Sequence, residues 1–312
     1  MTQVLVVPGF TSEKESCFCG HVARTALRAM LYEVCLFPKP GLVDARNNGA
    51  HNDMSIFTFV DSSIALEPVF SQCVAFGLSN CRNDEAEIFS GLRSIGKQGE
   101  TIMYQATNGV NTHKGLVFTL GTACAALGIL HGRRQTLTTK NVQYCMKDLC
   151  RDLVGRELEP LSQDAASTAG QRQFLAHGLK GIRGEAQAGF PAVFDHGLSY
   201  LTKRLAVVER QAAFLDALLM IMTVAEDSNV VKRGGLHSLE YMHRQAEKAL
   251  ELGGATDVRG MEFIKNMDQN FVERGISPGG CADLLALCIF IHYFAAEYIN
   301  DESDGCIPLS SV

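Results

Sequence analysis

Residues 211–227 read QAAFLDALLMIMTVAED, a stretch that is apolar almost all the way round a helix. A helix without a wet face has to be surrounded by other elements, so it predicts a central helix inside a packed core. Three further segments carry helical periodicity. HVARTALRAMLYEV places Val22, Ala26, Ala29, Met30 and Val34 on one stripe. KGLVFTLGTACAALGILHG is rich in alanine and glycine, which lets a neighbouring backbone come close. In SPGGCADLLALCIFIHYFAAEY, Ser277 fits an N-cap, Pro278 the first helical position and Asp283 the first turn. Weaker helical patterns lie near 63–78, 138–152, 194–206, 239–252 and 257–274. Period-2 alternation is almost confined to the short QVLVV near the start.

The expected fold is therefore all-α: one multi-helix domain over 17–299 whose glycine-rich interhelical loops converge on one site, with a loose segment at 1–16 and a polar tail at 300–312. A chain of 312 residues can bury a substantial core in this way.

Composition narrows the function. With 28 basic and 34 acidic residues the formal charge is −6, which disfavours nucleic acid as a partner. The most apolar run, Leu284–Ile299, is 16 residues long and contains His292 and Glu297, so no membrane span is expected. The N-terminus lacks the basic n-region of a signal peptide. Eleven cysteines are irregularly spaced, and neither Cys17/Cys19 nor Cys145/Cys150 makes a zinc or redox pattern. Reduced, mostly buried thiols in a cytoplasmic protein are expected.

The chemistry-bearing residues fall between the helices. PKPGLVDARNNGAHNDM (38–54), GVNTHKG (109–115), GIRGEAQAGFP (181–191), EDSNVVKRGG (226–235) and ISPGGCADLL (276–285) each join glycine to ionisable side chains at an expected helix end. Glycine permits close backbone approach to a ligand, and helix N-termini present free N–H groups to anions. Taken singly, any of these segments reads equally as a cap or a turn. The repeated mixture of carboxylates and cations is more than caps require. Lys114 sits at an expected helix start, where a cation opposes the macrodipole by roughly 0.3–1 kcal/mol unless a phosphate reverses the sign. Arg183 and Arg233 offer forked donors and Lys39 a point charge. Asp44, Asp53, Glu185, Asp227 and Asp283, with Glu33 ending the first helix, supply hard oxygens that point to Mg²⁺. His51 and His113 are open between ligand, acid–base group and hydrogen-bond donor. No Walker phosphate loop, dinucleotide fingerprint or nucleophile elbow is present.

The ordered succession PKPGLVD, NNGAH-x-DM, GVNTHKG, RGEA-x-x-GFP, D-S-N-V-x-x-RGG and SPGG-x-ADLLAL resembles the triphosphoribosyl-dephospho-CoA synthase family over about residues 20–298. Two positions depart from the family pattern: Ser228 where threonine is usual, and Cys281 where serine is usual. The resemblance implies an all-helical fold and transfer of the triphosphoribosyl group of ATP to the 2′-hydroxyl of 3′-dephospho-CoA with release of adenine. It also implies a product that becomes the prosthetic-group precursor of citrate lyase, passed to an acyl carrier protein prosthetic-group transferase, or its counterpart for malonate decarboxylase.

Displacement at an anomeric carbon needs a carboxylate for the developing charge or the incoming hydroxyl. On that chemistry Glu185, Asp53 and Asp283 are the catalytic candidates, with Glu185 favoured as base. Lys39, Asn111, His113, Lys114, Arg183 and Arg233 are expected on phosphate and nucleotide, and Asp44, Asp227 and Glu33 on Mg²⁺. The competing readings are a Mg²⁺-dependent all-helical hydrolase of ADP-ribose-type N-glycosidic bonds and a non-catalytic helical binding protein.

Overall fold

The core is assembled around α4 (Lys114–Gly132), which is buried from Leu116 to Leu130 apart from Phe118. Its small residues decide how closely the next helix packs. A Cβ added to Gly128 would lie 2.1 Å from the Val74 carbonyl oxygen of α2 (Ile56–Ser79). One added to Gly77 of α2 would lie 2.2 Å from the Ala125 carbonyl oxygen of α4. The two backbones thus touch at reciprocal glycines, the close approach expected from the alanine- and glycine-rich sequence.

The computed structural model describes residues 12–159, 166 and 168–299. Among them the remaining helices are α1 (Glu13–Cys35), α3 (Glu85–Ala106), α5 (Thr139–Leu149), α6 (Leu153–Glu157), α7 (Ala169–His177) and α8 (Gly181–Ala188). A π-helical turn (Ala192–Gly197) leads into α9 (Leu198–Leu205), followed by α10 (Arg210–Met222), α11 (Ser228–Glu251), a 3₁₀ turn (Gly254–Thr256), α12 (Val258–Glu273) and α13 (Gly279–Ile299). No strand occurs among the described residues, and the fold is all-α. α1 and α2 pack beside α4, and α13 packs against α1, α4 and α10, so one apolar core runs through all five. Most of the apolar stretch 211–227 lies in α10, which is buried from Ala213 to Met222 apart from Met220.

Some boundaries differ from the sequence expectation. α1 begins at Glu13, inside the segment taken as loose, because the Ser12 hydroxyl accepts from Glu15 N (3.2 Å) and Glu13 and Glu15 favour the first turn. α3 was not expected at all. GIRGEAQAGFP, expected as a link between helices, contains α8. The QVLVV stretch and the tail 300–312 lie outside the described residues. α4 and the Gly279–Tyr298 part of α13 are long and apolar enough to cross a bilayer, the latter over 20 residues rather than the expected 16. In this fold 78% and 61% of their apolar windows are buried against other helices. Ten cysteines are described; all are free thiols and eight are buried.

Candidate active site

A cavity of about 870 Å³ opens where the starts of α4, α11 and α13 meet the 36–55 loop and the inner face of α3. Lys114 and Gly115, Ser228 and Asn229, and Gly279 and Gly280 line it from the three helix starts. Nine of the twelve residues expected from sequence also line it: Glu33, Lys39, Asp53, Asn111, His113, Lys114, Arg183, Arg233 and Asp283. Asp44, Asp227 and Glu185 are not on the wall.

The carboxylates differ in what already holds them. Asp44 is spent on its own loop. Its Oδ1 accepts from Arg46 N (2.7 Å) and Asn47 N (2.8 Å), and its Oδ2 from Lys39 N (3.2 Å). It folds the loop after the cis Phe37–Pro38 peptide. Asp227 is likewise spent. Its Oδ1 accepts from Asn229 N (2.8 Å) and Val230 N (3.2 Å) at the start of α11, and its Oδ2 accepts from Cys281 N (2.9 Å) at the start of α13. One carboxylate therefore caps two helices, and burial pushes its pKa up against the pull of those donors. Asp44 and Asp227, both expected on metal, are thus already bonded by backbone N–H groups.

Glu33 is buried and paired with Lys39, whose Nζ also donates to the Glu33 carbonyl (2.9 Å). Lys39 is thus a neutralised cation at the cavity floor. Glu185 accepts from Ala192 N (2.7 Å), capping the π-helical turn from behind the cavity. Burial, with Glu226 and Asp195 nearby, raises its pKa to about 7 despite that bond. It is not among the residues that line the cavity. Because the folded pKa is raised from 4.5, protonation favours folding, and stability falls as pH rises from the unfolded value through about 7. Glu185→Gln keeps the acceptor and removes the charge. It is expected to raise stability at pH 8 by on the order of 1–3 kcal/mol, read as a higher melting temperature, to do little at pH 4, and to leave turnover within about threefold.

Asp283 is different. Its Oδ2 lies 2.2 Å from where a Gly115 Cβ would stand, so the carboxyl rests against the α4 backbone at the cavity floor. No N–H or O–H among the described residues donates to it. Burial, with Glu33 and Asp227 close by, holds its pKa well above the usual carboxylate range. Asp53 stands at the rim with 65% of its side chain exposed, 3.7 Å from His51 Nδ1.

The cations ring the opening. Arg233 donates to the Ala50 carbonyl (2.9 Å) and approaches His51 Nδ1 (3.3 Å), while His51 Nε2 meets Ser277 Oγ (2.7 Å), which ties the 36–55 loop to the start of α13. Lys114 pairs with Glu100 of α3 (2.7 Å). His113 is not a cation: burial and Lys39 lower its pKa to about 3, and its Nδ1 is bonded to Ser62 Oγ (2.8 Å). Arg93, Lys97, Glu100, Glu157 and Lys232 also line the cavity and were missed from sequence. Lys232 lay in a quoted segment beside Arg233. Arg93, Lys97 and Glu100 share one face of α3 at spacings of four and three, a signal that needs α3 to be seen as a helix first.

Among the described residues no three His, Cys, Asp or Glu side chains come together as a protein-only metal site. The cavity-lining carboxylates would suit a magnesium ion that takes one or two of them and draws its other ligands from substrate phosphates and water.

A helical scaffold that gathers cations, helix starts and an unpartnered carboxyl around one deep cavity defines an enzyme of polyphosphate substrates. The chain belongs to the CitG family: the family model, described as ATP:dephospho-CoA triphosphoribosyl transferase, matches residues 19–301. The enzyme's reaction is accordingly triphosphoribosyl transfer from ATP to dephospho-CoA. No solved structure matches the chain.

Proposed function

We propose that transfer takes place at the floor of this cavity with Asp283 as general base. The observation that carries the assignment is its carboxyl: deep in the cavity, against the start of α4, with no internal donor occupying it. The 2′-hydroxyl of dephospho-CoA attacks the anomeric carbon of the ATP ribose. The C1′–O bond forms as the C1′–N bond to adenine breaks, and its electron pair leaves with the base. The hydroxyl proton passes to Asp283 and on to solvent, and adenine takes up one proton from water as it departs, so protons balance. The negative charge on Asp283 also stabilises the oxocarbenium character that builds at C1′.

The triphosphate is a spectator whose binding orients the ribose. Lys114, Lys232 and the starts of α4 and α13 are placed to hold it. Magnesium bound to the triphosphate would supply charge neutralisation, with Glu33 among the cavity-lining carboxylates that would hold it. Asn111 fixes the start of α4 by accepting from Lys114 N (3.2 Å). His113, neutral, serves packing and hydrogen bonding rather than charge. The product is the prosthetic-group precursor of citrate lyase, handed to a prosthetic-group transferase that acts on an acyl carrier protein.

Incubation with ATP and magnesium, with and without dephospho-CoA, tests this reading. Mass spectrometry should find the triphosphoribosylated acceptor, and adenine should appear only when the acceptor is present. Adenine released equally fast without acceptor would return the site to the hydrolase reading.

A further inference from the structure

We infer that Arg93 and Arg183, braced by Glu157, form a separate anion subsite for the phosphate oxygens of one nucleotide substrate, an assignment that rests on the cavity being the transfer site. The three residues come from α3, α8 and the end of α6 and meet on the cavity wall. Glu157 Oε1 accepts from Arg93 Nη2, and Oε2 accepts from Arg183 Nε (2.7 Å). Glu157 is 13% exposed, so one largely buried carboxylate holds two guanidiniums and leaves a net positive charge. Arg93 retains Nε and Nη1, and Arg183 retains both Nη groups, free of other partners among the described residues.

Three of the other cavity cations are held by partners of their own. Lys39 is neutralised by Glu33, Lys114 is held by Glu100, and Arg233 is spent on backbone carbonyls. The forked donors of Arg93 and Arg183 suit phosphate oxygens, and bracing fixes two long side chains before a ligand arrives. Position supports a second subsite. Arg93 and Glu100 are seven residues apart on α3, roughly 10 Å along the axis. Glu100 holds Lys114 at the α4 start, beside the Asp283 carboxyl. Transfer from the anomeric carbon of one ribose to the hydroxyl oxygen of another brings two phosphate chains to one site, each set back from the reacting centre by its own sugar. Arg93 and Lys97 lie outside every segment singled out from sequence, as does Glu157.

The test uses the full chain. Inorganic triphosphate is titrated calorimetrically into wild type, Arg93→Gln, Arg183→Gln and the corresponding lysine variants, and KM is measured for ATP and for dephospho-CoA. Each glutamine variant should weaken triphosphate binding by about tenfold and raise KM for one substrate by about tenfold, with kcat within about threefold. The lysine variants, which keep the charge, should recover part of the loss. The substrate whose KM moves identifies the source of the phosphate. A lower melting temperature with unchanged KM values and unchanged triphosphate binding would make the cluster a structural tie and overturn the inference. Absence of triphosphoribosylated product from wild type would overturn the transfer reading instead, and the titration would still decide the subsite.

Discussion

Asp283→Asn is expected to lower the rate of transfer by roughly a thousandfold while leaving the fold intact. Asparagine fills the same volume against Gly115 but cannot take the proton of the acceptor hydroxyl or offset charge at C1′. It also removes a carboxyl whose charged form the surroundings disfavour, so the melting temperature should hold or rise. The pH profile gives an independent readout. The folded carboxyl titrates well above the usual carboxylate range, and only its deprotonated form can act as a base. In wild type, kcat/KM should therefore climb with pH on an acid limb displaced upward, and activity should be lost as pH falls through that value. The limb should be absent from the residual activity of the variant. Turnover by Asp283→Asn within a few-fold of wild type would place the base elsewhere, with Asp53 at the rim the next carboxylate to replace.

The second large effect concerns stability. Asp227→Asn keeps one acceptor oxygen but turns an N–H₂ group toward the N–H of Asn229 and Val230 or that of Cys281. Asp227→Ala abandons all three. Orphaned buried N–H groups cost about 1–3 kcal/mol each, so the alanine variant should lose about 3–5 kcal/mol, visible as a melting-temperature drop of roughly 10 °C. The asparagine variant should fall between it and wild type. A change of less than about 1 kcal/mol in the alanine variant would show that other groups satisfy these helix starts.

The sequence was most legible where periodicity was strong. α10, α13, α4 and α1 follow from apolar spacing, and the close glycine contact of α2 with α4 follows from composition. α3 escaped because Gly91, Gly96 and Gly99 interrupt it and its outer face is polar, although Ile88, Leu92, Ile95, Gly99 and Met103 keep a helical spacing. α8 is hidden by the three glycines of GIRGEAQAGFP, of which only Gly181 and Gly189, at its ends, have positive φ.

For the site, the sequence located the segments but not the division of labour among carboxylates. Asp44, Asp227 and Asp283 are the same residue type in similar glycine-rich surroundings. Whether backbone N–H groups already claim a carboxylate depends on distant chain, as when Cys281 N reaches Asp227 across 54 residues. Glu185 stands two residues after Arg183, yet the fold turns it toward Ala192. Arg93 and Glu157 needed tertiary proximity before either had meaning.

The Asp227 tie has a consequence for rebuilding this scaffold. Because a single carboxylate sets the geometry of both helix starts, segments 226–230 and 278–283 behave as one mechanical part. A chimera that exchanges either segment alone inherits a mismatched joint, so a graft aimed at altering acceptor choice must carry both as a single cassette.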